Sequence, residues 1–351
     1  VRMRHILLIA ALGWALLLRA AAPTTLRVVD LRWIDGQPEL ETWVGSLQGA
    51  VNRQGGDAAI FMVTDDDDAA WAEALVAAYR LTKEVYTPGA LLDAYRGQLT
   101  GQVCYDPAQP WTRNLALTLA AAAPGLVIAS AADLGVPVVQ DLRAGWADRR
   151  AAYARALEPL MAKAEALVLA PEDGHLLADG IAARALPAVG LNPLDAEDAP
   201  LLRRLLARLP DGGQVLGHPG AADIEVAAVQ RALLQLRDHR PVAYLPMRQC
   251  TNLSCFARFP LIRPLVQARD EMPPLQAAGT LALIYDAGPG IDHGAPTLDA
   301  ALLELPALLD ALSGTALPVG VTVPAALYRT APALYQFLLA RARRTAAELI
   351  A

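Results

Sequence analysis

The chain has 351 residues, 54% of them hydrophobic, and a formal net charge of −6. At roughly 150 residues per domain, that length supports two domains with full cores. The net acidity, with no extended Lys/Arg run, argues against nucleic acid as a partner.

Three cysteines, Cys104, Cys250 and Cys255, leave at least one unpaired and match no zinc spacing. A disulfide framework is excluded; buried thiols are expected, and a Cys250–Cys255 bridge in an oxidising compartment is the alternative. The Arg-rich stretches "RRLLARLP" and "LARARRTAAELI" carry leucine or alanine at helical spacing and read as solvated helix faces.

Residues 1–23 have the layout of a signal peptide. Arg2, Arg4 and His5 precede the apolar "ILLIAALGWALLL", and "RAAAP" offers small residues for cleavage. The apolar run is short for a bilayer span, so a secreted or periplasmic protein with no stable membrane span is expected. An uncleaved anchor is the alternative, because Arg19 closes the run and Pro23 follows Ala22.

From residue 24, short apolar runs alternate with amphipathic stretches. Strands are expected at "LRVVDLRW", "AAIFMVT", "GQVCYD" and "LVIAS", and helices at "ELETWVGSLQGAVNRQ", "DAAWAEALVAAYR" and "NLALTLAAAAPG". This alternation predicts an α/β fold whose residues 24–145 form a Rossmann-like parallel-sheet domain. No glycine-rich phosphate loop follows any strand, so dinucleotide binding is unsupported and no cofactor is expected. The run "TDDDDAAW" could offer metal ligands; its place between strand and helix reads instead as N-cap and helix-dipole acids, and no metal site is assigned.

A helix from Trp146 opens a second series, residues 146–351, with strands at "ALVLA", "GQVLGHPG", "PVAYLP", "TLALIYDAG" and "PVGVTV". About five strands can be counted where a closed (β/α) barrel uses eight, so the expectation is an incomplete TIM-like barrel. Polar residues recur after the strands: Asp173 and His175, then His218 and Glu225, then Asn252 and Ser254, then Asp286, Asp292 and His293. Ligands of parallel α/β folds bind at the carboxyl ends of strands. Taken singly, each of these residues also fits ordinary turn or capping chemistry.

The ordered set "LQGAVNRQGGDAAIFMV", "DLRAGWADRRAAYARALEPL", "GHPGAADIE", "CTNLSCF", "YDAGPG" and "APALYQFLLARARRTAAEL" resembles the GxGYxYP family of proteins inferred to be glycoside hydrolases. The resemblance covers nearly all of the chain after the leader. It implies a secreted protein acting on polysaccharide or oligosaccharide, with an N-terminal α/β domain and a barrel-like catalytic domain. Two departures stand out. The family has an Asp-Gly-Asp-Asn-like end to the strand where this chain has Tyr285, Asp286, Ala287, Gly288 and Pro289, so only the first Asp matches. The Gly-x-Gly-Tyr-x-Tyr-Pro segment is expected beyond Ala351, so the resemblance leads us to expect a C-terminally truncated catalytic domain.

Glycoside cleavage needs two carboxyl groups flanking the bond, one of them protonated near neutral pH. Asp286 is the first candidate, Glu225 its partner and Asp173 the runner-up. His218 and Asn252 are expected to orient sugar hydroxyls, with Asp292 and His293 in supporting roles. The 5% aromatic content is low for a sugar binder. A glycan-binding envelope protein without turnover, and a metal-dependent polysaccharide deacetylase using Asp286, Asp292 and His293, remain the other readings.

Overall fold

The computed structural model describes residues 22–34, 38–130, 134–143, 146, 148–171, 177–220, 224–240, 242–247, 251–259, 283–286, 309, 319–322, 332–342 and 347–350. Among the described residues every strand pairing is parallel.

The first sheet joins β1 (Thr25–Asp30), β2 (Ala58–Val63) and β3 (Thr82–Tyr86) in the order β2-β1-β3. Both of its faces are covered. Val28 and Phe61 enter one apolar cluster, while Val29, Ile60 and Met62 enter another on the opposite face. Burial on both faces is why β1 and β2 read as unbroken apolar runs rather than alternating ones. β3 is an edge strand with Thr82, Lys83 and Val85 exposed, and its mixed composition hid it from the periodicity.

The second sheet orders β4 (Gly101–Cys104), β5 (Leu126–Ala129) and β6 (Val138–Asp141) as β5-β4-β6. Residues 24–145 therefore hold two small sheets, not the single one expected. The helix α1 (Pro38–Gln54) stands between their edges, touching both β2 and β5. Pro38 opens it, Glu39 and Glu41 lie in its first turn and Arg53 in its last, each the sign that the helix dipole favours.

From Val44 to Asn52 every residue of α1 is buried, polar ones included. Those polar side chains meet the unpaired sheet edges. Asn52 donates to Ile60 O at 3.0 Å and accepts from Ile60 N at 2.8 Å. Ser46 Oγ accepts from Ile128 N on β5 at 3.2 Å. The helix α4 (Trp111–Ala121) repeats the device, its Thr118 Oγ1 accepting from Ala188 N at 2.9 Å. A sheet edge buried without such partners would leave costly unsatisfied backbone groups.

The helices α2 (Asp66–Tyr79), α3 (Pro88–Tyr95) and α5 (Arg149–Met161) complete this half. The acidic run acts as expected of caps: Asp65 accepts from Asp68 N at 2.8 Å, and Asp68 reaches back to Thr64 N at 2.9 Å.

The third sheet contains β7 (Ala166–Leu169), β8 (Ala188–Val189), β9 (Gln214–Gly217) and β10 (Ala243–Leu245) in the order β10-β9-β7-β8. Consecutive strands of a (β/α) barrel are neighbours. Here β8 and β9 lie on opposite sides of β7, which is the order of an open, doubly wound sheet and replaces the barrel wall expected for these strands. Its helices are α6 (Ala178–Arg184), α7 (Ala199–Leu206) and α8 (Val226–Leu236). On α7, Leu201, Leu202, Leu205 and Leu206 are buried while Arg203 and Arg204 are exposed, as the leucines at helical spacing predicted. A Cβ on Gly49 of α1 would stand 2.4 Å from Asp179 O and 2.7 Å from Ala182 Cβ, so glycine sets the close approach of α1 to α6.

The short α9 (Leu253–Arg258) packs on α1 and α6. The last sheet orders β11 (Leu283–Asp286), β12 (Val319–Thr322) and β13 (Ala347–Ile350) in sequence, beside α10 (Pro332–Ala342). β13 corrects the helical reading of the final "AELI", which pairs with β12. Cys104 and Cys255 are buried and outside any disulfide; Cys250 lies outside the described residues.

Asp179 is wholly buried at the junction of α6 and α9. Its Oδ2 accepts from Ser254 N at 2.9 Å, and its Oδ1 has no partner. Burial raises its pKa from 3.8 to about 6, against the lowering effect of the Ser254 hydroxyl and of the Ser254 and Leu253 N–H groups. Because the folded pKa lies above the unfolded one, the carboxyl favours folding below pH ~4 and loses that contribution as pH rises to about 6, on the order of 3 kcal/mol. Urea midpoints of Asp179→Asn from pH 4 to 7.5 are expected to lack this decline; profiles parallel to wild type would refute the assignment.

Candidate functional site

In an open parallel sheet the ligand crevice forms where two neighbouring strands send their connections in opposite directions. In the third sheet that point lies between β7, which leads toward β8, and β9, which leads toward β10. A cleft of about 480 Å³ opens there. Ala170 and Pro171 follow β7, Gly190, Leu191 and Asn192 follow β8, and Pro219, Gly220 and Ile224 follow β9. Arg149, Asp195 and Asp198 supply its charge.

Asp198 anchors one wall. It is 1% exposed and accepts from Arg149 Nη2 at 3.0 Å, Arg150 Nε at 2.8 Å and Asn192 N at 2.9 Å. Its contacts, with those of Glu197, hold the Arg150 guanidinium above its usual pKa range. With its lone pairs taken up by these donors, Asp198 fixes Arg149 at the cleft and is unsuited to proton transfer.

Asp195 has a different standing. It is half-buried, its Oδ1 accepts from Glu197 N at 2.8 Å, and the loop closes on itself through Asp195 N to Asn192 O at 3.0 Å and Ala199 N to Asp195 O at 2.9 Å. It is a carboxylate on a hydrogen-bonded loop at a crevice of mixed apolar and charged lining. The sequence reading missed it because β8 is two residues long, so "GLNPLDAED" was not recognised as following a strand; the signal available was the Asn-Pro-x-Asp turn itself.

The residues chosen from the sequence fall in four places. His218 follows β9, where expected, but it is fully buried with Nδ1 2.9 Å from Tyr244 Oη and Nε2 3.0 Å from Ile224 O. The carbonyl requires Nε2 to donate, and Nδ1 shares a hydrogen bond with the tyrosine hydroxyl. His218 thus ties rim residue Ile224 to β10 rather than orienting a hydroxyl. The turn depends on Gly217, whose φ is +87° and whose Cβ would lie 2.2 Å from Leu169 O.

Asn252 is also redirected. Although it follows β10 in the chain, it lies against β2, donating to Met62 O and accepting from Met62 N, both at 2.7 Å. Gln48 Nε2 donates to its Oδ1 at 2.6 Å. It is a buried edge cap, not a sugar contact.

Glu225 is exposed, directly after rim residue Ile224 and before α8, with no side-chain capping bond. Asp286 ends β11, in register with Thr322 of β12, in a different sheet from β9, which Glu225 follows. Asp173, Asp292 and His293 lie outside the described residues. No group of three or more His, Cys, Asp or Glu that could hold a metal occurs among the described residues, and no described helix is long and apolar enough to cross a membrane.

These features define an α/β protein of parallel sheets with a crevice at a strand-order switch. Residues 99–161, from β4 through α5, match the GxGYxYP_N second domain, in agreement with the resemblance read from the motifs. That stretch runs across residue 145, where the sequence reading divided the chain. A crystal structure from Bacteroides thetaiotaomicron VPI-5482, at 1.25 Å resolution and described as a "putative hydrolase", is similar in fold, with a TM-score of 0.70 and 17% identity over 94% of this chain. The chain spans 63% of that protein's length. No curated protein matches in sequence.

Proposed function

We propose that the protein is an exported carbohydrate-directed hydrolase whose sugar cleft is the crevice between β7 and β9. The observation that carries this reading is the half-buried carboxylate of Asp195 in a crevice walled by Pro171, Leu191, Pro219 and Ile224. Every lining residue comes from the segment after residue 146, which supports assigning the chemistry to that part of the chain.

Asp195 and Glu225, on loops that follow β8 and β9, are the first pair to test as the acid and its partner carboxylate. Asp173, two positions after Pro171 in the sequence, and Asp286 at the end of β11 are the next. Arg149 and Asn192 are placed to meet sugar hydroxyls. The described hydrolase of similar fold is consistent with this class of reaction.

A hydrogen-exchange footprint tests the location. With a bound oligosaccharide, slowed exchange is expected at 190–195 and 219–220, flanking β8 and β9. A second cleft of about 430 Å³ lies at the opposite ends of the strands, lined by Thr118, Lys163, Glu165 and Arg184. Protection there, with none at 190–195, would move the site and refute the proposal.

A further inference from the structure

Charge is unevenly shared at the β7–β9 crevice. The cations beside it are Arg149, which lines it, and Arg150, both in the first turn of α5. Asp198 holds Arg149 Nη2 at 3.0 Å and Arg150 Nε at 2.8 Å, and Glu197 holds Arg150 Nη2 at 2.6 Å. Two guanidiniums and two carboxylates therefore neutralise one another.

Asp195 and Glu225 stand outside this balance. Asp195 lines the crevice, Glu225 follows rim residue Ile224, and neither forms an ion pair with a described cation. The sequence of the strand connections has the same sign. Segments 170–177, 190–198 and 218–225, which leave β7, β8 and β9, contain seven Asp and Glu residues and no Lys or Arg, while the connection after β10 carries Arg248. Of these, Glu172, Asp173, Asp223 and Arg248 lie outside the described residues.

Glycoside cleavage uses two carboxyl groups, and Asp198 and Glu197 are occupied with the arginines. The connections carry more acid than the chemistry and the ion pairs consume. A cleft lined by one sign of charge focuses its field, drawing in ligands of the opposite sign and repelling those of its own. Among saccharides, hydroxyl and N-acetyl sugars are neutral and uronates are anionic. Free amino groups give a sugar positive charge.

We propose, on the reading of this crevice as a sugar cleft, that its substrate is a cationic saccharide, a chain of amino sugars whose nitrogen is not acylated. An ammonium group finds its counter-charge in the carboxylates of the mouth. A uronate meets guanidiniums already neutralised by Asp198 and Glu197.

Calorimetric titration of the full chain with β-1,4-linked oligomers of glucosamine, glucose and glucuronate, equal in length, tests this. At low ionic strength, below the pKa of the sugar amines, the glucosamine oligomer is expected to bind about tenfold tighter than the glucose oligomer, and the glucuronate oligomer to bind weakest. Added salt is expected to shrink the difference by screening. Glu197→Lys, at a side chain 74% exposed, changes the local charge by two units. A unit charge roughly 10 Å away in water alters an affinity about twofold, so the variant is expected to bind the glucosamine oligomer about fourfold more weakly and the glucose oligomer unchanged. Glucose or glucuronate binding as tightly as glucosamine, or a glucosamine affinity indifferent to salt and to Glu197→Lys, would overturn the cationic substrate and leave the sugar cleft standing. Binding of none of the three would count against the sugar cleft itself and remove the cationic substrate with it.

Discussion

Asn252→Ala is expected to destabilise the protein by about 3–5 kcal/mol, enough to consume much of the margin of an ordinary domain. The side chain gives β2 the pairing that a further strand would have given, two bonds of 2.7 Å to Met62 N and O. Truncation leaves both backbone groups buried and unmet, and Gln48 Nε2 loses its 2.6 Å acceptor. The residue also sits at φ +64°, a left-handed conformation that asparagine tolerates better than alanine. Asn252→Asp tests the same contact in another way: an acceptor replaces the donor to Met62 O and faces the carboxylate of Asp68, 3.2 Å from Nδ2 in the native protein. Chemical denaturation of both variants with the wild-type transition would show that the edge cap contributes nothing.

The same residue shows why the sequence could be read only in part. Apolar runs such as "AAIFMV" and "ALVL" announce buried parallel strands, because burial on both faces removes the alternation and leaves a continuous hydrophobic signal. β11 likewise ends at Asp286, where the acids begin. The edge strands β3, β6 and β8 carry charge, exposure or only two residues, so nothing in local composition marks them.

Asn252 looked like a strand-exit residue because chain order was the only guide available. Its partner Met62 is 190 positions away, and no pattern within a window of the sequence encodes a pairing of that range. The polar residues Ser46, Gln48 and Asn52 would ordinarily mark the solvent face of a helix. In α1 they are buried because the helix is enclosed by two sheet edges that demand hydrogen bonds. The same limit separated the expected site from the observed crevice: His218 was placed correctly at the end of β9, but its role as a rim tie follows from Tyr244 and Ile224, which only the fold brings to it. Asp195 went unnoticed because its loop follows the shortest strand.

The activity of Asp195 variants carries the second large effect. If Asp195 is one of two acids at the scissile bond, Asp195→Asn removes proton transfer or charge stabilisation at the reacting centre while keeping the volume and the Oδ1 acceptor for Glu197 N, seen at 2.8 Å. General acid or base catalysis contributes about 10²–10⁴-fold in rate, and the loss is expected in kcat rather than KM, because the carboxylate acts mainly in the transition state. Glu225→Gln should fall in the same range, and the double variant should lose little more than the worse single one, since the two carboxyls act as a unit.

The most direct measurement is therefore the rate of reducing-end release from a bound glycan by wild type and by Asp195→Asn, with binding followed in parallel. Turnover by wild type that falls about 10²–10⁴-fold in the variant, with binding retained, is the predicted result. Equal turnover in the two proteins, or wild-type binding with no release, would contradict a hydrolase centred on the β7–β9 crevice.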